Sequence, residues 1–432
     1  MTDPAGTAGS EEWLRNDRYM DGIINIYKEQ GYTSHDVIAR MRGISGQRRA
    51  GHTGTLDPDA EGVLPVCLGT ATRVVEMLTD TDKVYEAVVL LGVATDTEDI
   101  SGEILAYGQE KLEKLRDIDI IEAVESFRGE YMQVPPVYSA IKQGGKKLCE
   151  LAREGKESAP EARSVKIKEI EVMSNVKNGR LSDRTEFIKA TSAVSEAKNE
   201  SDTTSKGSDS EVVRALYKRD DDSYNNVNNE RSDIIRSNKS GISADKCVIS
   251  LKNGSYMDRF GVTGGSEDDR FKRNSDPEWS RDERILSLPV KRFVMRVECS
   301  KGTYIRSLCR DIGEKLGCHA TMEKLIRTRV GNLGIETSLT LQEAQELAGK
   351  GQLEGALTST DECFMHLPAL HTKEKYDAVL ENGNIMFFRH FKEYIEEPAS
   401  PVRVYTSKGA FLAVYEFEER RKLYKPLKMF TQ

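Results

Sequence analysis

The spacing of apolar residues predicts two ordered stretches of chain, residues 21–177 and 286–360, separated by a long polar one. A strand is predicted wherever apolar side chains alternate with polar ones or fill a short run between turn residues. The segments with that pattern include residues 22–27, 84–93, 137–141, 165–172 and 293–297. The last two lie on either side of the polar stretch, and we expect them to pair with each other.

Helices are predicted where apolar residues recur at intervals of three and four, behind a side chain that can cap the first turn. Thr33 and Ser34 precede one such run. Thr340, followed three residues later by Glu343, has the pattern of a capping box at the start of another. Further helices are predicted at residues 112–127 and 303–316.

Residues 178–285 differ in character from the stretches on either side. They are rich in Ser, Asn, Asp and Arg, and their few apolar residues show no sustained period. Such a segment cannot bury enough apolar surface to offset the entropy that is lost on ordering. We therefore predict a disordered insertion at 178–285, inside one domain formed by residues 21–177 and 286–360. Residues 1–20, which are polar and charged, are predicted to be a flexible N-terminus.

The last part of the chain, residues 361–432, is predicted to form a separate small unit. Segments 402–405 and 410–417 flank Ser407-Lys408-Gly409, a spacing that is typical of a β-hairpin. At 432 residues, the chain is long enough for two or three domains with a sizeable core.

Composition narrows the class of protein. No run approaches the roughly 18 apolar residues of a membrane span, and the N-terminal residues lack the apolar centre of a signal peptide. We therefore expect a soluble, cytoplasmic protein. The seven cysteines are scattered singly and the six histidines are not clustered, so neither a zinc site nor a disulfide framework is expected. Most of the cysteines are predicted to be small buried side chains.

The formal net charge of −8 argues weakly against a nucleic-acid partner, but basic residues are clustered locally. The clusters contain Arg40, Arg42, Arg48 and Arg49; Lys142, Lys146, Lys147, Arg153 and Lys156; and Arg306, Arg310, Lys324, Arg327 and Arg329. Ordinary solvation of a surface explains any one of them. Together, on an acidic chain, they suggest one positively charged face.

The most informative run in the chain spans residues 51–69 and contains Gly-Thr-Leu-Asp-Pro. Its Asp57 lies in a predicted tight turn bounded by Gly54 and Gly62. Glycine permits positive φ and the close approach of another molecule, and Pro58 fixes φ after the acid. Taken alone, an Asp before a Pro is more typical of a residue that caps its own turn. On this turn, however, the carboxylate would be directed toward a cleft.

The run closely resembles the nucleophile motif of the TruB family of tRNA pseudouridine synthases, in which the Asp attacks the target uridine. Other segments resemble the family in the family's own order, namely Asp82-Lys83-Val84-Tyr85, residues 299–308 and residues 324–331. The resemblance covers about residues 21–176 and 286–349. One departure is Lys28-Glu29, where the family usually has Lys-Pro; it leaves the implied catalytic roles unchanged.

The resemblance implies a role for each matching residue. Asp57 is the implied nucleophile, and Arg306 pairs with it, which keeps a carboxylate ionised and oriented. Tyr85 stacks on the extruded base, since an enzyme must take a uridine out of its stack to reach the glycosidic bond. Tyr304 and Leu325 line the implied pocket, and His52 enters the RNA loop where the base has left. Singly, Tyr85 and Leu325 are as typical of a core, and His52 of a structural turn.

Residues 133–148 resemble the family's mobile loop and helix that clamp the RNA. Basic side chains at Lys142, Lys146 and Lys147 would neutralise phosphates and give a grip that depends on salt but carries no sequence information. The shape of the loop and the flipped base would then supply specificity.

The resemblance implies an α+β fold with a mixed, mostly antiparallel central sheet flanked by helices, and a small β-rich, PUA-like RNA-binding unit at 361–432. The implied reaction isomerises uridine 55 in the T loop of tRNA and needs no cofactor or metal. The implied partner is the tRNA T arm, and a monomer is expected. Two alternatives stay open: a guide-RNA-dependent synthase of the archaeal or eukaryotic kind, and an RNA-binding or tRNA-folding protein without catalysis.

Overall fold

The computed structural model describes residues 20–154, 160–183 and 277–430. Its strands are β1 (Gly22–Lys28), β2 (Ala50–His52), β3 (Glu61–Leu68), β4 (Lys83–Leu91), β5 (Val93–Thr95), β6 (Ile104–Tyr107), β7 (Gly129–Gln133), β8 (Lys142–Gln143), β9 (Lys146–Lys147), β10 (Arg163–Val172), β11 (Lys177–Arg180), β12 (Pro289–Cys299), β13 (Ala320–Val330), β14 (Leu333–Gly334), β15 (Ala369–His371), β16 (Val402–Tyr405), β17 (Phe411–Glu418) and β18 (Leu423–Met429). Its α-helices are α1 (Ser34–Ser45), α2 (Val75–Thr79), α3 (Gln109–Leu112), α4 (Asp117–Glu125), α5 (Leu148–Arg153), α6 (Glu283–Leu286), α7 (Ile305–Leu316), α8 (Leu341–Gly349) and α9 (Asp377–Glu381).

A large central sheet organises the main domain, with strand order β1-β3-β13-β4-β12-β10-β7 and with β2, β11 and β14 at its sides. Nearly all of its pairs are antiparallel. The exception is a short parallel contact between β13 and β3, in which Ile326 pairs with Glu61 and Arg327 with Gly62. The sheet is therefore mixed and mostly antiparallel, as predicted. The expected pairing across the insertion is also confirmed, because β10 and β12 are antiparallel neighbours.

Two helices cover the middle of the sheet and form its main core. The apolar positions of α7 recur at Leu308 and Ile312, and both are fully buried against β4, β12 and β13. Helix α4 adds Ile120 and Val124 to the same cluster. A second cluster joins α1 and α8 to β1 and β3. Both predicted caps are present: Thr33 accepts from the N–H of Asp36, and Thr340 from that of Glu343.

The C-terminal part of the chain forms its own four-stranded sheet, in the order β15-β16-β17-β18. The predicted hairpin is confirmed, since β16 and β17 are antiparallel and Gly409 in their turn has a φ of 87°. This sheet has its own apolar core. A separate cluster joins it to the main domain through Val414 and Phe430, which pack with Ile23 and Cys67. The predicted β-rich terminal unit is therefore present, docked on the first strands of the sheet.

The ordered structure extends further into the predicted insertion than the sequence pattern indicated. Residues 178–180 belong to β11, which pairs with β12, and residues 277–285 include α6 and the buried Trp279. Residues 178–183 and 277–285, which the sequence pattern assigned to the insertion, therefore belong to the described fold. The rest of the predicted insertion, residues 184–276, lies outside the described residues, as do residues 1–19 of the predicted flexible N-terminus.

Two local predictions are wrong. Residues 137–141 form an irregular loop in place of a strand, because the Tyr138 carbonyl accepts from the side chain of Arg306 on α7 and the Ile141 carbonyl from the N–H of Leu148. The predicted helix at 112–127 is shorter, because α3 ends at Leu112 and α4 covers only Asp117–Glu125. The side chain of Asp119 accepts from the backbone N–H and the guanidinium of Arg116, which fixes the start of α4 behind Arg116.

Five described cysteines, Cys67, Cys299, Cys309, Cys318 and Cys363, are unpaired and buried, as predicted. Among the described helices, none has the length and apolar character that crossing a membrane requires.

Candidate active site

Asp57 lies on a turn that is fixed from several directions. The N–H of Ala60 donates to the carbonyl of Asp57 at 3.1 Å, closing the turn with Pro58 at its second position. Next to it, Leu56 exchanges two hydrogen bonds with the hydroxyl of Ser34, the first residue of α1. The side chain of Asp57 is held by this backbone and projects from it.

Lys28 anchors the other side of the turn from the end of β1. Its ammonium is fully buried and donates to three backbone carbonyls, those of Glu29, Tyr32 and Pro58, at 2.7–3.1 Å. Burial lowers the pKa of Lys28 to about 8. The role of Lys28 is therefore structural, and Glu29, which stands where the family usually has proline, lies outside the turn that carries Asp57.

Gly62, at the far end of the turn, has a φ of 105° and lies directly against β13. A Cβ atom there would come within 2.2 Å of the carbonyl oxygen of Arg327. Only glycine permits both this backbone conformation and the close parallel contact between β3 and β13.

Arg306 is the nearest cation to Asp57, with Nε 3.1 Å from Oδ2 of the carboxylate. The other guanidinium nitrogens are also held: Nη1 donates to the carbonyl of Thr97 at 3.0 Å and Nη2 to that of Tyr138 at 3.1 Å. The Arg306 side chain is 8% exposed. Because its position is set on several sides, Arg306 can orient the carboxylate without losing much side-chain entropy.

Two opposing effects act on the ionisation of Asp57. Burial raises the pKa of Asp57, because surrounding protein disfavours the charged carboxylate, while Arg306 acts to lower it and Asp99 to raise it further. The side chain still keeps 42% of its surface open to solvent. A group that is surrounded by protein in most directions and yet open in one is at the floor of a cleft, where a ligand can reach it.

Asp99 is a second carboxylate at this site, which the sequence analysis did not single out. Its Oδ2 lies 3.4 Å from Nη1 of Arg306. Its Oδ1 accepts from the hydroxyl of Thr97 at 2.8 Å and from the N–H of Ser101 at 3.0 Å. The only signal in the sequence was an acidic turn between two apolar strands, which is typical of an ordinary surface loop.

Tyr85 and Leu325 lie on neighbouring strands at the centre of the sheet, offset by two residues, since Leu325 pairs with Ala87 and Tyr85 with Arg327. Tyr85 is on β4 and Leu325 on β13, and both belong to the cluster that contains Leu56, the residue before Asp57. Burial raises the pKa of Tyr85, so the phenol stays neutral at ordinary pH. The structure therefore places an aromatic ring and an aliphatic side chain next to the turn that carries the carboxylate.

Arg327 is another residue that the sequence analysis assigned differently, as part of a surface cluster. Its side chain is almost completely buried, with Nε 2.7 Å from the carbonyl of Val63 and Nη2 3.2 Å from that of Gly54. These carbonyls lie on the two sides of the Asp57 turn, so Arg327 joins them. Since residues two apart on a strand share a face, its spacing from Leu325 was the signal that could have placed it here.

The correction extends to the whole cluster of basic residues at 306–329. Arg306 and Arg327 are buried, Arg310 pairs with Glu98 and Asp311, and Lys324 lies 3.7 Å from Glu61. Arg329 pairs with Glu298 at 2.7 Å. Each of these side chains is either buried or paired with a carboxylate, so the cluster does not add an unpaired positive patch to the surface.

Tyr304 begins α7 as its N-cap residue, two positions before Arg306. Its backbone N–H donates to Oε1 of Gln133 at 2.8 Å, and its carbonyl accepts from Nε2 of the same side chain at 3.1 Å. Gln133 is 1% exposed. This paired contact fixes the start of α7, and with it the position of Arg306, relative to β7. Burial raises the pKa of Tyr304, which stays protonated at neutral pH.

His52 lies at the end of β2, half-buried, and faces α1. Its ring packs edge-on against His35 with a centroid distance of 5.6 Å, and its Nδ1 accepts from the N–H of Gly54 at 3.3 Å. Burial lowers the pKa of His52, and the nearby His35 and Arg327 lower it further. The imidazole is therefore neutral near pH 7, with Nδ1 as acceptor.

The lysines at 142–147 lie on a small hairpin formed by β8 and β9. Lys142 pairs with Lys147 in β8–β9, and Gly144 and Gly145 form the turn between the strands. Lys142 and Lys146 are exposed, and Lys146 contacts Glu154 at 2.7 Å. The loop that precedes this hairpin reaches the site, because Tyr138 supplies a carbonyl to Arg306.

Two family models match the chain. The model of the TruB family pseudouridylate synthase N-terminal domain covers residues 42–192, and that of the tRNA pseudouridylate synthase B C-terminal domain covers residues 306–364. A protein from Lachnoclostridium phytofermentans named tRNA pseudouridine synthase B is 36% identical over 414 residues, which are 95% of this chain and 100% of the relative. The protein of that name from Alkaliphilus oremlandii is 32% identical, over 90% of this chain and 91% of its own length.

The chain belongs to the TruB family. It is accordingly an isomerase that acts on tRNA and forms pseudouridine. Residues Asp57 and Tyr85 lie in the first matched segment, and Arg306 and Leu325 in the second.

Solved structures agree on the fold. A chain described as "Crystal Structure of a Cbf5-Nop10-Gar1 Complex" superposes with a TM-score of 0.53 at 21% identity, covering 95% of this chain and 85% of its own. Another, described as "Structure of H/ACA RNP bound to a substrate RNA containing 2'-deoxyuridine", gives a TM-score of 0.52 at 19% identity, covering 97% and 92%. The TruB-family chain therefore has the pseudouridine synthase fold, with the sheet and the terminal β-unit described above.

Proposed function

We propose that this TruB-family chain converts uridine 55 in the T loop of tRNA to pseudouridine, with Asp57 as the nucleophile. The observation that carries the proposal is the contact between Asp57 and Arg306: a carboxylate on a fixed turn, open to solvent on one side and 3.1 Å from a buried guanidinium. The sequence resemblance supplies the position in tRNA, and the geometry supplies the chemistry.

The reaction needs an ionised carboxylate in a site that excludes much of the water. Burial alone would leave Asp57 protonated over a wider range of pH, and the Arg306 charge opposes that effect. In the route through C1′, a carboxylate oxygen displaces N1 from C1′, the uracil turns, and C5 then displaces the carboxylate from C1′. In the route through C6, the carboxylate adds to C6, the N1–C1′ bond breaks, the uracil turns, C5 bonds to C1′, and the carboxylate is released from C6. In both routes a base takes the proton from C5, and N1 gains one, so the reaction is an isomerisation. The three alternatives are attack at C1′, attack at C6 and elimination. Each of them requires an ionised Asp57 at this position.

The base would lie against Tyr85 and Leu325. A uridine inside a folded T loop is stacked, so it must be extruded before Asp57 can reach its ribose. An aromatic face replaces the lost stacking and stabilises the extruded base by roughly 1–3 kcal/mol. Tyr85 and Leu325 belong to the same cluster as Leu56, the neighbour of the nucleophile. His52, at the end of β2 beside His35 of α1, would enter the RNA loop that the base has left, and its neutral imidazole supports this role.

The T arm itself would be gripped without sequence readout. Exposed Lys142 and Lys146 on the β8–β9 hairpin can neutralise phosphates, and Lys147 pairs with Lys142 in that hairpin. Because the loop before the hairpin contributes the Tyr138 carbonyl to Arg306, phosphate binding at the hairpin and the position of Arg306 share one segment of chain.

The test is site-specific mapping of pseudouridine on unmodified tRNA and on a T-arm hairpin, each incubated with the purified chain alone. We expect product at uridine 55 in both RNAs. If neither RNA contains product, and the protein is folded and still binds tRNA, the proposal is contradicted and a guide-dependent or binding-only protein is favoured.

The role of Asp57 is tested separately with Asp57→Asn, which keeps the shape and hydrogen-bonding capacity of the side chain. We expect tRNA affinity within about threefold of the parent, because the T arm is held by other groups, and no detectable product. Loss of binding with loss of product would instead indicate a structural role for Asp57. Arg116→Gln, which changes an exposed pair with Asp119 at the start of α4, serves as a surface control.

A further inference from the structure

The turn between β5 and β6 supplies two of the groups that hold Arg306. Thr97 contributes its carbonyl and Asp99 its carboxylate. The turn is closed at its base by a pair of hydrogen bonds between Asp96 and Glu103, in which each residue accepts from the backbone N–H of the other. The position of Arg306 therefore depends on the shape of residues 96–103.

Gly102 is the most tightly packed point of this turn. A Cβ atom on Gly102 would come within 2.3 Å of Oδ1 of Asp96 and 2.4 Å of Oγ1 of Thr97. Its N–H donates to the carbonyl of Asp99 at 3.2 Å. Because these residues are in close contact, a shift of Gly102 would also move Asp96, Thr97 and Asp99.

Trp279 holds Gly102 from outside the turn. Its indole N–H donates to the carbonyl of Gly102 at 2.9 Å, and its side chain is 6% exposed. The ring packs in a cluster with Ile100 of the same turn, Val93 of β5 and Leu181. Trp279 therefore contacts the turn in two ways, through a buried hydrogen bond and through apolar packing.

The location of Trp279 makes this contact unexpected. It lies in a short helical turn just after residues 184–276, in a part of the chain that is otherwise polar. Leu181, on the other side of that stretch, packs in the same cluster. Both ends of the inserted segment thus meet on the outer side of the β5–β6 turn, while the inner side of the turn holds Arg306.

We propose that Trp279 is a positioning residue for the reaction, whose indole N–H fixes Gly102 and thereby the two oxygen groups that Thr97 and Asp99 present to Arg306. The path is a series of direct contacts, from Trp279 to Gly102, from Gly102 to Asp99, from Asp99 to Arg306, and from Arg306 to Asp57. The inference rests on the proposed role of Asp57, since it concerns the alignment of that carboxylate.

The experiment compares Trp279→Phe, which keeps a buried ring but removes the donor, with Leu181→Ala, which weakens the same cluster without removing a hydrogen bond to the turn. Should Trp279→Phe fail to fold, 3-benzothienylalanine at position 279 keeps the ring shape and replaces only the N–H. The chain has two tryptophans, so the analogue is incorporated into a Trp13→Phe variant, in which position 279 is the remaining tryptophan. Single-turnover rates on unmodified tRNA, tRNA affinity and thermal stability are measured for each variant between pH 4.5 and 8.

We expect the loss of the Trp279 donor to lower the single-turnover rate about five- to tenfold, with tRNA affinity within about twofold. The acid limb of the pH profile should move to higher pH, because Arg306 then holds the carboxylate less closely, and its charge has a larger effect on Asp57 than the charges of Asp99, Asp59 and Lys28. Leu181→Ala should lose similar stability without either change. Amide exchange at Ile100, Gly102 and Glu103 should quicken in the Trp279 variant alone.

Equal rates and equal acid limbs in the Trp279 and Leu181 variants would overturn the proposal and leave Trp279 a core residue. Faster exchange in the turn without a change in rate would overturn it as well. These outcomes are distinct from a failure of the proposed function, in which Asp57→Asn would still form product.

Discussion

Oδ2 of Asp99 lies 3.4 Å from Nη1 of Arg306, the same guanidinium whose Nε contacts Asp57. The cation therefore joins two carboxylates, one open to solvent and one mostly buried. Asp99 and the Thr97 carbonyl contact Nη1 of Arg306, the Tyr138 carbonyl contacts Nη2, and Asp57 contacts Nε. Asp99 therefore helps to hold the guanidinium on the side that does not face Asp57. This arrangement separates orientation, which Asp99 supplies, from chemistry, which we assign to Asp57.

Asp99→Asn should therefore slow the reaction without weakening RNA binding. The amide keeps an acceptor but loses the charge, so Arg306 is held less firmly. We expect the single-turnover rate to fall about ten- to a hundredfold, which corresponds to about 1.4–2.8 kcal/mol in activation free energy. Asp96→Asn is the matched control, because Asp96 closes the same turn through Glu103 and does not contact Arg306. Similar losses in the two variants would contradict a specific role for Asp99.

The rate should depend on pH through Asp57. Burial raises the pKa of Asp57, so the carboxylate is protonated at pH values where an exposed Asp is fully ionised. We expect the single-turnover rate to fall as pH decreases, with an acid limb above the ordinary range of an aspartate. In Asp99→Asn two effects oppose each other, because the lost negative charge acts to lower the pKa of Asp57 while a less firmly held Arg306 acts to raise it. We expect the acid limb to move less in this variant than in Trp279→Phe, and a larger upward move would contradict the assignment.

Because the pKa of Asp57 is raised in the folded state, the ionised carboxylate lowers the free energy of unfolding. Its folded-state pKa lies above the unfolded value, so the folded protein binds more protons between those two values and loses stability as pH rises through that window. At pH 7 the charged carboxylate is buried at a net cost that Asn does not carry. We expect Asp57→Asn to unfold at a temperature no lower than the parent at pH 7, with the difference decreasing toward pH 4. A lower unfolding temperature at pH 7 would indicate that the turn needs the carboxylate.

Much of this fold follows from local pattern and capping. The apolar runs of β1 and β4, the start of α1 at Thr33 and the box formed by Thr340 and Glu343 were all visible as sequence signals, because each depends on residues close together in the chain. The turn at Asp57 was visible for the same reason, since Gly54, Pro58 and Gly62 restrict its backbone.

The remaining features depend on contacts that are distant in the sequence. Asp99 became recognisable only when its turn was placed against Arg306, more than two hundred residues later. The loop at 137–141 has the composition of a strand, but its Tyr138 carbonyl is used by Arg306. Trp279 is an isolated apolar residue in polar surroundings, and no periodicity indicates that it is buried. In each case a tertiary contact decided a conformation that local propensity left open.

Arg292 and Glu323 form a fully buried ion pair between β12 and β13, with contacts of 2.8 and 3.1 Å. Arg292 also donates to the carbonyls of Arg180 and Leu181. Glu323→Gln removes one charge and leaves the other buried, so we expect a loss of about 3–5 kcal/mol in the free energy of unfolding. The double variant Arg292→Met with Glu323→Leu should recover most of that loss. Urea unfolding at pH 7 measures both, and a loss below about 1 kcal/mol in the single variant would contradict the prediction.

The last prediction concerns the inserted segment and where it can be cut. Leu181 and Trp279 pack in one cluster, so a Gly-Ser linker of about 12 residues, with an average span of roughly 17–21 Å, can replace residues 184–276. We expect this deletion to keep the rate of pseudouridine formation within about threefold of the parent, because every described contact to the β5–β6 turn is retained.

A longer deletion, of residues 182–281, also removes Trp279 and its bond to Gly102. We expect it to react at least fivefold more slowly than the shorter deletion, at equal tRNA affinity. Rates and affinities are measured on the same unmodified tRNA. Equal rates in the two deletions would contradict a role for Trp279, whereas a large loss already in the shorter deletion would place a functional contact within residues 184–276.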